Sequence, residues 1–361
     1  MRDRLPQFPW DRLDQLAAVA RSHPDGIVDL SVGTPVDPVP APVRQALAAA
    51  ADSPGYPLTA GTAALRDAAA GWLARTLGAE VAPEALLPTI GSKELVGWLP
   101  TLLGLGTADT VVVPALAYPT YEVGARFAGA QVLVTDSTAA VGPARVSLVW
   151  INSPSNPTGR VLPVEHLAKV VTWARERGAI VASDECYVEL GWDAPPVSIL
   201  HPDVCGASHE GLLAVHSLSK RSNLAGYRAG LVAGDPALVA ELRQVRRHLG
   251  MMVPSPVQAA AAAAWADDEH VHEQRERYRA RRTALAAALT AAGLTITDSQ
   301  AGLYLWAGRD EPCWDTVRWL AERGVLVAPG DFYGPAGARH VRVALTATDE
   351  RVAAAVGRLT R

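Results

Sequence analysis

The chain has 361 residues, 49% hydrophobic and 19% charged, which is too long for one ordinary core and suits a large domain with a smaller companion. A formal net charge of −4 excludes the concentrated basic surface of a nucleic-acid binder, so no nucleic-acid partner is expected. No apolar run is long enough to cross a bilayer, and the charged start MRDRLPQFPWDRLDQL lacks the apolar stretch of a secretory signal.

Cys186, Cys205 and Cys313 are odd in number and scattered, which fits a reduced cytoplasm and gives no metal site. The lysines are only Lys93, Lys169 and Lys220, every other basic side chain being arginine. Such a bias is often only genome composition, yet it makes each lysine easy to weigh.

In chain order, the first forty residues are proline-rich (Pro35, Pro38, Pro40) and cannot form a core alone. They are expected to pack with the tail, giving a small domain of residues 1–43 and 281–361 around a large domain of residues 44–280. From Leu86 to Gly234 strand-like and helix-like stretches alternate. The strands read as TVVVP from Thr110, QVLVT from Gln131, VSLVWI from Val146, AIVAS from Ala179, LLAVHS from Leu212 and AGLVAG from Ala229. Their nearly continuous apolar character suits strands buried on both faces. Between two of them, residues 163–178 form an amphipathic helix opened by Pro163 and closed by Gly178.

This alternation predicts an α/β layer fold with a mainly parallel sheet flanked by helices. Beyond Gly234, residues 236–249 and 255–292 read as long Ala- and Arg-rich helices. Strands GLYLWAG from Gly302, VLVAPG from Val325 and HVRVAL from His340 follow, then a closing helix from Asp349. These complete the smaller α+β domain.

Several segments carry candidate chemistry. In LLAVHSLSKRSNLAGYRAG, an apolar strand runs out into Ser217, Ser219 and Lys220, with Arg228 eight residues beyond the lysine. Ligands of open α/β sheets bind beyond the carboxyl ends of strands, and hydroxyls with a guanidinium suit a phosphate. Lys169, on the polar face of the 163–178 helix, reads as solvated surface. The strand IVASD ends in Asp184, with Tyr187 three residues on.

That carboxylate could hold magnesium or bond a protonated ring nitrogen. The first use needs a GxxxxGK[ST] phosphate loop, and the chain has no Gly-Lys pair. GLGTAD from Gly104 lacks the third glycine of a dinucleotide fingerprint, and neither a G-x-S-x-G elbow nor an H-E-x-x-H zinc site occurs. The loop after VSLVWI carries Asn152 and Asn156, which taken alone is ordinary turn chemistry. Gly91, Ser92 and Lys93 stand where an extended stretch becomes a helix. They could seat an anion on the first-turn amides, or Ser92 could serve as a plain N-cap. Tyr118 is either packing or a lid over a flat ring, and Arg342 either an outward charge or a fork for a carboxylate.

Taken together, SVGTPVDP from Ser31, GSKELV from Gly91, NSPSNPTG from Asn152, HSLSKRSNLAGYRAG from His216 and LVAPGDFYG from Leu326 resemble the class I/II aminotransferases of fold type I over nearly the whole length. Within that family they are most similar to actinobacterial N-succinyldiaminopimelate aminotransferases. The resemblance implies a seven-stranded sheet in the large domain, pyridoxal 5'-phosphate as cofactor, small amino and 2-oxo acids as substrates, and a homodimer with shared active sites.

It implies that Lys220 carries the cofactor and moves the substrate α-proton. Asp184 would pair with the ring nitrogen, Asn156 and Tyr187 with the ring oxygen, and Tyr118 would stack on the ring. Ser92, Lys93, Ser217, Ser219 and Arg228 would surround the phosphate, with Tyr56 reaching the phosphate of the partner subunit. Arg342 would bind the substrate α-carboxylate, Gly33 lying in the segment that closes over it. The expected reaction moves an amino group between N-succinyl-LL-2,6-diaminopimelate and 2-oxoglutarate in lysine biosynthesis. The same scaffold also serves aspartate, kynurenine and aromatic aminotransferases, C–S lyases and, more remotely, cofactor-sensing domains.

Overall fold

The computed structural model describes residue 6 and residues 8–360. Helix α1 (Asp14–Arg21), strand β1 (Val28–Asp29), α2 (Ala41–Ala49) and α3 (Ala63–Leu77) come first. The central layer begins with β2 (Leu86–Thr89), α4 (Ser92–Leu102), β3 (Thr110–Val113), α5 (Thr120–Ala128) and β4 (Gln131–Val134). It continues through β5 (Val146–Asn152), α6 (Val164–Arg175), β6 (Ile180–Asp184), α7 (Pro202–Cys205) and β7 (Leu212–Ser217). The short α8 (Leu218–Arg221) and β8 (Gly230–Gly234) close it. Helices α9 (Pro236–His248), α10 (Ser255–Ala266) and α11 (Glu269–Ala291) lead to β9 (Thr295–Thr297) and β10 (Tyr304–Gly308). The tail holds α12 (Cys313–Glu322), β11 (Val325–Leu326), β12 (Ala328–Pro329), β13 (Val341–Ala344) and α13 (Asp349–Leu359).

The seven-stranded sheet runs in the order β2-β8-β7-β6-β5-β3-β4. Strands β4, β3, β5, β6 and β7 are parallel neighbours, while β8 lies antiparallel between β7 and β2. Apolar residues of β5, β6 and β7 divide between two cores, one on each sheet face, which is why these strands read as unbroken hydrophobic runs.

Strand β4 departs from that expectation. It is a sheet edge, and Val134 is 52% exposed. The connection back to β5 contains only a short 3-10 turn, Thr138–Val141, so no full helix covers that corner.

A second, antiparallel sheet is ordered β12-β13-β10-β9, and β1 pairs in parallel with β11. Leu13, Ala17, Ala20, Val28 and Leu30 share one core with Leu303, Leu305, Val317, Leu320 and Val343. The amino-terminal segment is also pinned by charge. Arg281 of α11 donates from Nη1 and Nη2 to Asp37 at 2.7 Å each, and Gln274 donates to the same carboxylate at 2.7 Å. The residue 280–281 divide expected between domains falls inside α11.

Two readings of the tail are corrected. Residues 255–292 are two helices, broken where Asp267 is extended and its side chain accepts from the Glu269 amide and faces His270. VLVAPG is likewise two strands in different sheets, β11 beside β1 and β12 beside β13.

Candidate active site

The carboxyl ends of the parallel strands converge on one cavity of about 270 Å³. Each strand stops being apolar where it leaves the sheet, so its next side chains face the same crevice. β6 delivers Asp184, β7 and α8 deliver Ser217, Ser219 and Lys220, and the loop after β5 delivers Asn156. Tyr118 arrives after β3, Ser92 and Lys93 at the start of α4, and Arg228 just before β8. The tail contributes Arg342 from β13, and the amino-terminal segment contributes Gly33. Tyr187 completes the predicted lining. Tyr56 lies outside this cavity and is 96% exposed.

Asp184 is buried, and both its oxygens accept hydrogen bonds, Oδ2 from the Tyr121 hydroxyl at 2.8 Å and Oδ1 from the Cys186 amide at 3.2 Å. Burial raises its pKa, and those hydrogen bonds pull part of the way back. Among the described residues it has no ion-pair partner, so a protonated group entering the cavity would meet an uncompensated carboxyl. Lys220 has its pKa lowered by burial first, with Arg342 and Arg228 adding to that effect against Tyr304 and Cys186. Its Nζ donates to the Gly33 carbonyl.

Arg342 is fully buried in β13, donating to Asn156 Oδ1 at 2.8 Å and to the Ser31 carbonyl at 2.7 Å, while Nε has no partner. Its guanidinium lies 4.0 Å from the centre of the Tyr304 ring. The Tyr304 hydroxyl meets that of Tyr187 at 3.1 Å. Burial would raise the Tyr304 pKa, but Arg342 and Lys220 outweigh it and lower it. Gly33 is required here, because a Cβ would collide with the Tyr304 hydroxyl.

The first turn of α4 follows Gly91, whose φ of 75° falls in the region that favours glycine, and a Cβ there would strike the Arg228 guanidinium. Gly91 therefore occupies the cap position, with Ser92 as the first helical residue, and the reading of Ser92 as N-cap is corrected. Glu94 holds this turn in place, accepting from the Ile90 amide and from buried Arg246 at 2.9 and 3.0 Å. The Lys93 ammonium lies over the rings of Phe8 and Tyr118, at 5.7 and 5.8 Å.

Sequence reasoning missed Tyr121, Tyr304, Cys186, Trp10 and Phe8, all of which line the cavity. Tyr121 sits inside an ordinary amphipathic helix, and only its contact with Asp184, 63 positions away, marks it. Tyr304 carries a weak signal, a tyrosine opening an otherwise apolar strand. The donor set suits pyridoxal phosphate: a buried unpaired carboxyl for the ring nitrogen, a half-buried amine, and hydroxyls, a guanidinium and helix-start amides for a phosphate.

Comparison with known proteins agrees with that geometry. The chain is 66% identical over 357 residues to a probable aminotransferase of Mycobacterium tuberculosis, covering 99% of this chain and 85% of that one. It is 59% identical over 356 residues to a 4-dedimethylamino-4-oxo-anhydrotetracycline transaminase of Streptomyces rimosus, covering 99% of both. Among solved structures, a probable N-succinyldiaminopimelate aminotransferase of Thermus thermophilus superposes with a TM-score of 0.88 at 28% identity, covering 98% of this chain and 99% of that one. The family model for aminotransferase class I and II matches residues 25–359, and the chain belongs to that family of pyridoxal-phosphate enzymes.

Proposed function

We propose that this aminotransferase takes N-succinyl-LL-2,6-diaminopimelate as amino donor and 2-oxoglutarate as acceptor, in lysine biosynthesis. The observation that carries the catalytic assignment is the meeting of half-buried Lys220 with buried Asp184 and Arg342 in one cavity. Pyridoxal phosphate, when bound, supplies the electron sink that makes the α-proton removable.

Arg342 grips the α-carboxylate and so fixes the direction of the Cα–H bond, an orientational gain. Nζ of Lys220, whose pKa burial lowers, takes the proton from Cα. Asp184 would pair with the protonated ring nitrogen of the bound cofactor, and Tyr121 holds the carboxyl's orientation. Asn156 and Tyr187 would hold the ring oxygen and Tyr118 would stack on the ring, while Ser92, Lys93, Ser217, Ser219 and Arg228 would hold the phosphate.

A succinylated donor adds a distal carboxylate. An arginine beyond Arg342 is expected to meet it, while Lys93, which makes no ion pair among the described residues and stands on two aromatic faces in the cavity lining, is kept for the cofactor phosphate. The likeness to the Thermus protein supports the same substrate. Tyr56, with its ring in solvent, is assigned to the phosphate of a second subunit in a homodimer.

The test is a side-by-side kcat/KM for N-succinyldiaminopimelate, free diaminopimelate, aspartate, kynurenine and an aromatic amino acid. The succinylated donor should exceed free diaminopimelate by roughly 10²-fold. A better aspartate or aromatic donor removes the pathway assignment, and pyruvate release from cystathionine replaces transfer by lysis. The Streptomyces relative favours one second reading, amino transfer onto a polycyclic ketone. Turnover of 4-dedimethylamino-4-oxo-anhydrotetracycline above that of 2-oxoglutarate would establish it.

A further inference from the structure

The uncovered corner at β4 has a consequence on the sheet face opposite the α5 side. Because the β4–β5 connection supplies only the Thr138–Val141 turn, α6 and that turn enclose a second cavity of about 220 Å³. Its floor is apolar, made by Val112 of β3, Val149 and Ile151 of β5, and Val170 and Trp173 of α6. Engineered apolar cavities of about 150 Å³ already admit benzene. This space therefore accommodates a ring-sized apolar body.

Its rim is polar and lies beyond the carboxyl ends of β3, β4 and β5, where α/β sheets place ligands. Arg160 is exposed there and forms no ion pair among the described residues. His166 has its pKa lowered by burial, with Arg160 and Lys169 adding to this and Asp136 opposing it. Of the two rim carboxylates, Asp136 accepts from the Ala115 amide, and Asp298 comes from the β9–β10 connection.

We propose that this cavity is a second ligand site, distinct from the cofactor pocket, for a small carboxylic acid with an apolar ring or branched body. Arg160 meets the carboxylate and the β5–α6 face receives the body. The end of β5 and the loop after it border both cavities. Asn152, Ser155, Thr158 and Arg160 face this cavity, while Asn156 faces the active site and accepts from Arg342. The loop is tightly tied: Asn152 Oδ1 accepts from the Asn156 amide at 2.7 Å, the Gly159 amide donates to the Ser155 carbonyl at 2.8 Å, and the Ser299 amide donates to the Thr158 carbonyl at 2.8 Å. A ligand pressing on Ser155 and Thr158 thus acts on the segment that carries Asn156.

The test is calorimetric binding of 3-phenylpropionate to the holoenzyme, a probe with no amino or oxo group to react. Binding is expected with Arg342→Ala as well as with the unaltered protein. Arg160→Gln, at an exposed position, should weaken it roughly tenfold or more, the loss of a charge-assisted contact. Val170→Phe should fill the cavity and abolish it. No binding at millimolar concentration overturns the assignment, as does binding that Arg160→Gln leaves unchanged.

Discussion

Replacing Asp184 by Asn keeps the side chain's shape and removes its charge. In the folded protein the carboxylate is buried, fixed by Tyr121 and the Cys186 amide, and has no other cation to serve among the described residues. Its electrostatic effect is therefore directed at whatever protonated group the cavity holds. An opposite charge at contact distance moves a pKa by about 1–3 units, and each unit corresponds to about 1.4 kcal/mol. The barrier to α-proton removal should thus rise by about 1.4–4 kcal/mol, a fall of roughly 10- to 10³-fold in the half-reaction rate. The assay is a single-turnover half-reaction followed by the cofactor's visible absorbance, repeated across pH. The ring-nitrogen titration should move to lower pH in the variant. Tyr121→Phe, which leaves the charge in place, should cost less than about tenfold. A fully loaded Asp184→Asn enzyme with near-normal turnover would refute the reasoning and leave Asp184 as a polar strand end.

Borohydride reduction followed by peptide mapping should place the cofactor on Lys220; a label on Lys93 or Lys169 would remove the assignment. Arg342→Ala should retain the cofactor but lose roughly 10²–10³-fold in kcat/KM for every α-amino acid, since two charge-assisted hydrogen bonds go with the side chain. Mixing Tyr56→Ala with Lys220→Ala chains should restore activity in hybrid dimers, and no recovery after verified subunit exchange would place Tyr56 elsewhere. Arg281→Ala should destabilise the fold by about 3–5 kcal/mol in denaturant titration, because Asp37 keeps a nearly buried charge without its main partner. Burial raises the Asp37 pKa, but the hydrogen bonds from Arg281 and Gln274 outweigh it and the folded value is lowered. The pair's contribution is therefore fully present above the unfolded carboxylate pKa of about 4 and is lost as pH falls through the lower folded value. An unchanged acid limb in Arg281→Ala would contradict this.

The chemistry of the strand ends was legible in the sequence because it is local. An apolar run that stops at Asp184 or Ser217 fixes both the strand and the place where polar side chains emerge, whatever the rest of the fold does. Few lysines and the missing phosphate-loop and dinucleotide patterns narrowed the chemistry further. Periodicity could not reveal which side chains meet across long separations. Arg342 and Asn156 are 186 positions apart, and Tyr121 and Asp184 are 63 apart.

Nor could it fix strand order. β4 is Val-rich like β3 but has no strand beyond it, and its connection to β5 carries only a 3-10 turn, a property of the whole sheet. The break at Asp267 was equally hidden, since helical composition continues through it and only the local caps and the pairing of Asp268 with Arg75 divert the chain. The sequence by itself determined the reactive groups and the layer they emerge from, because side-chain identity and strand period act over a few residues. The tertiary structure alone decided that Tyr304 and Arg342 join them, that Lys93 rests on aromatic faces, and that Tyr56 points away, because those outcomes depend on contacts between segments distant along the chain.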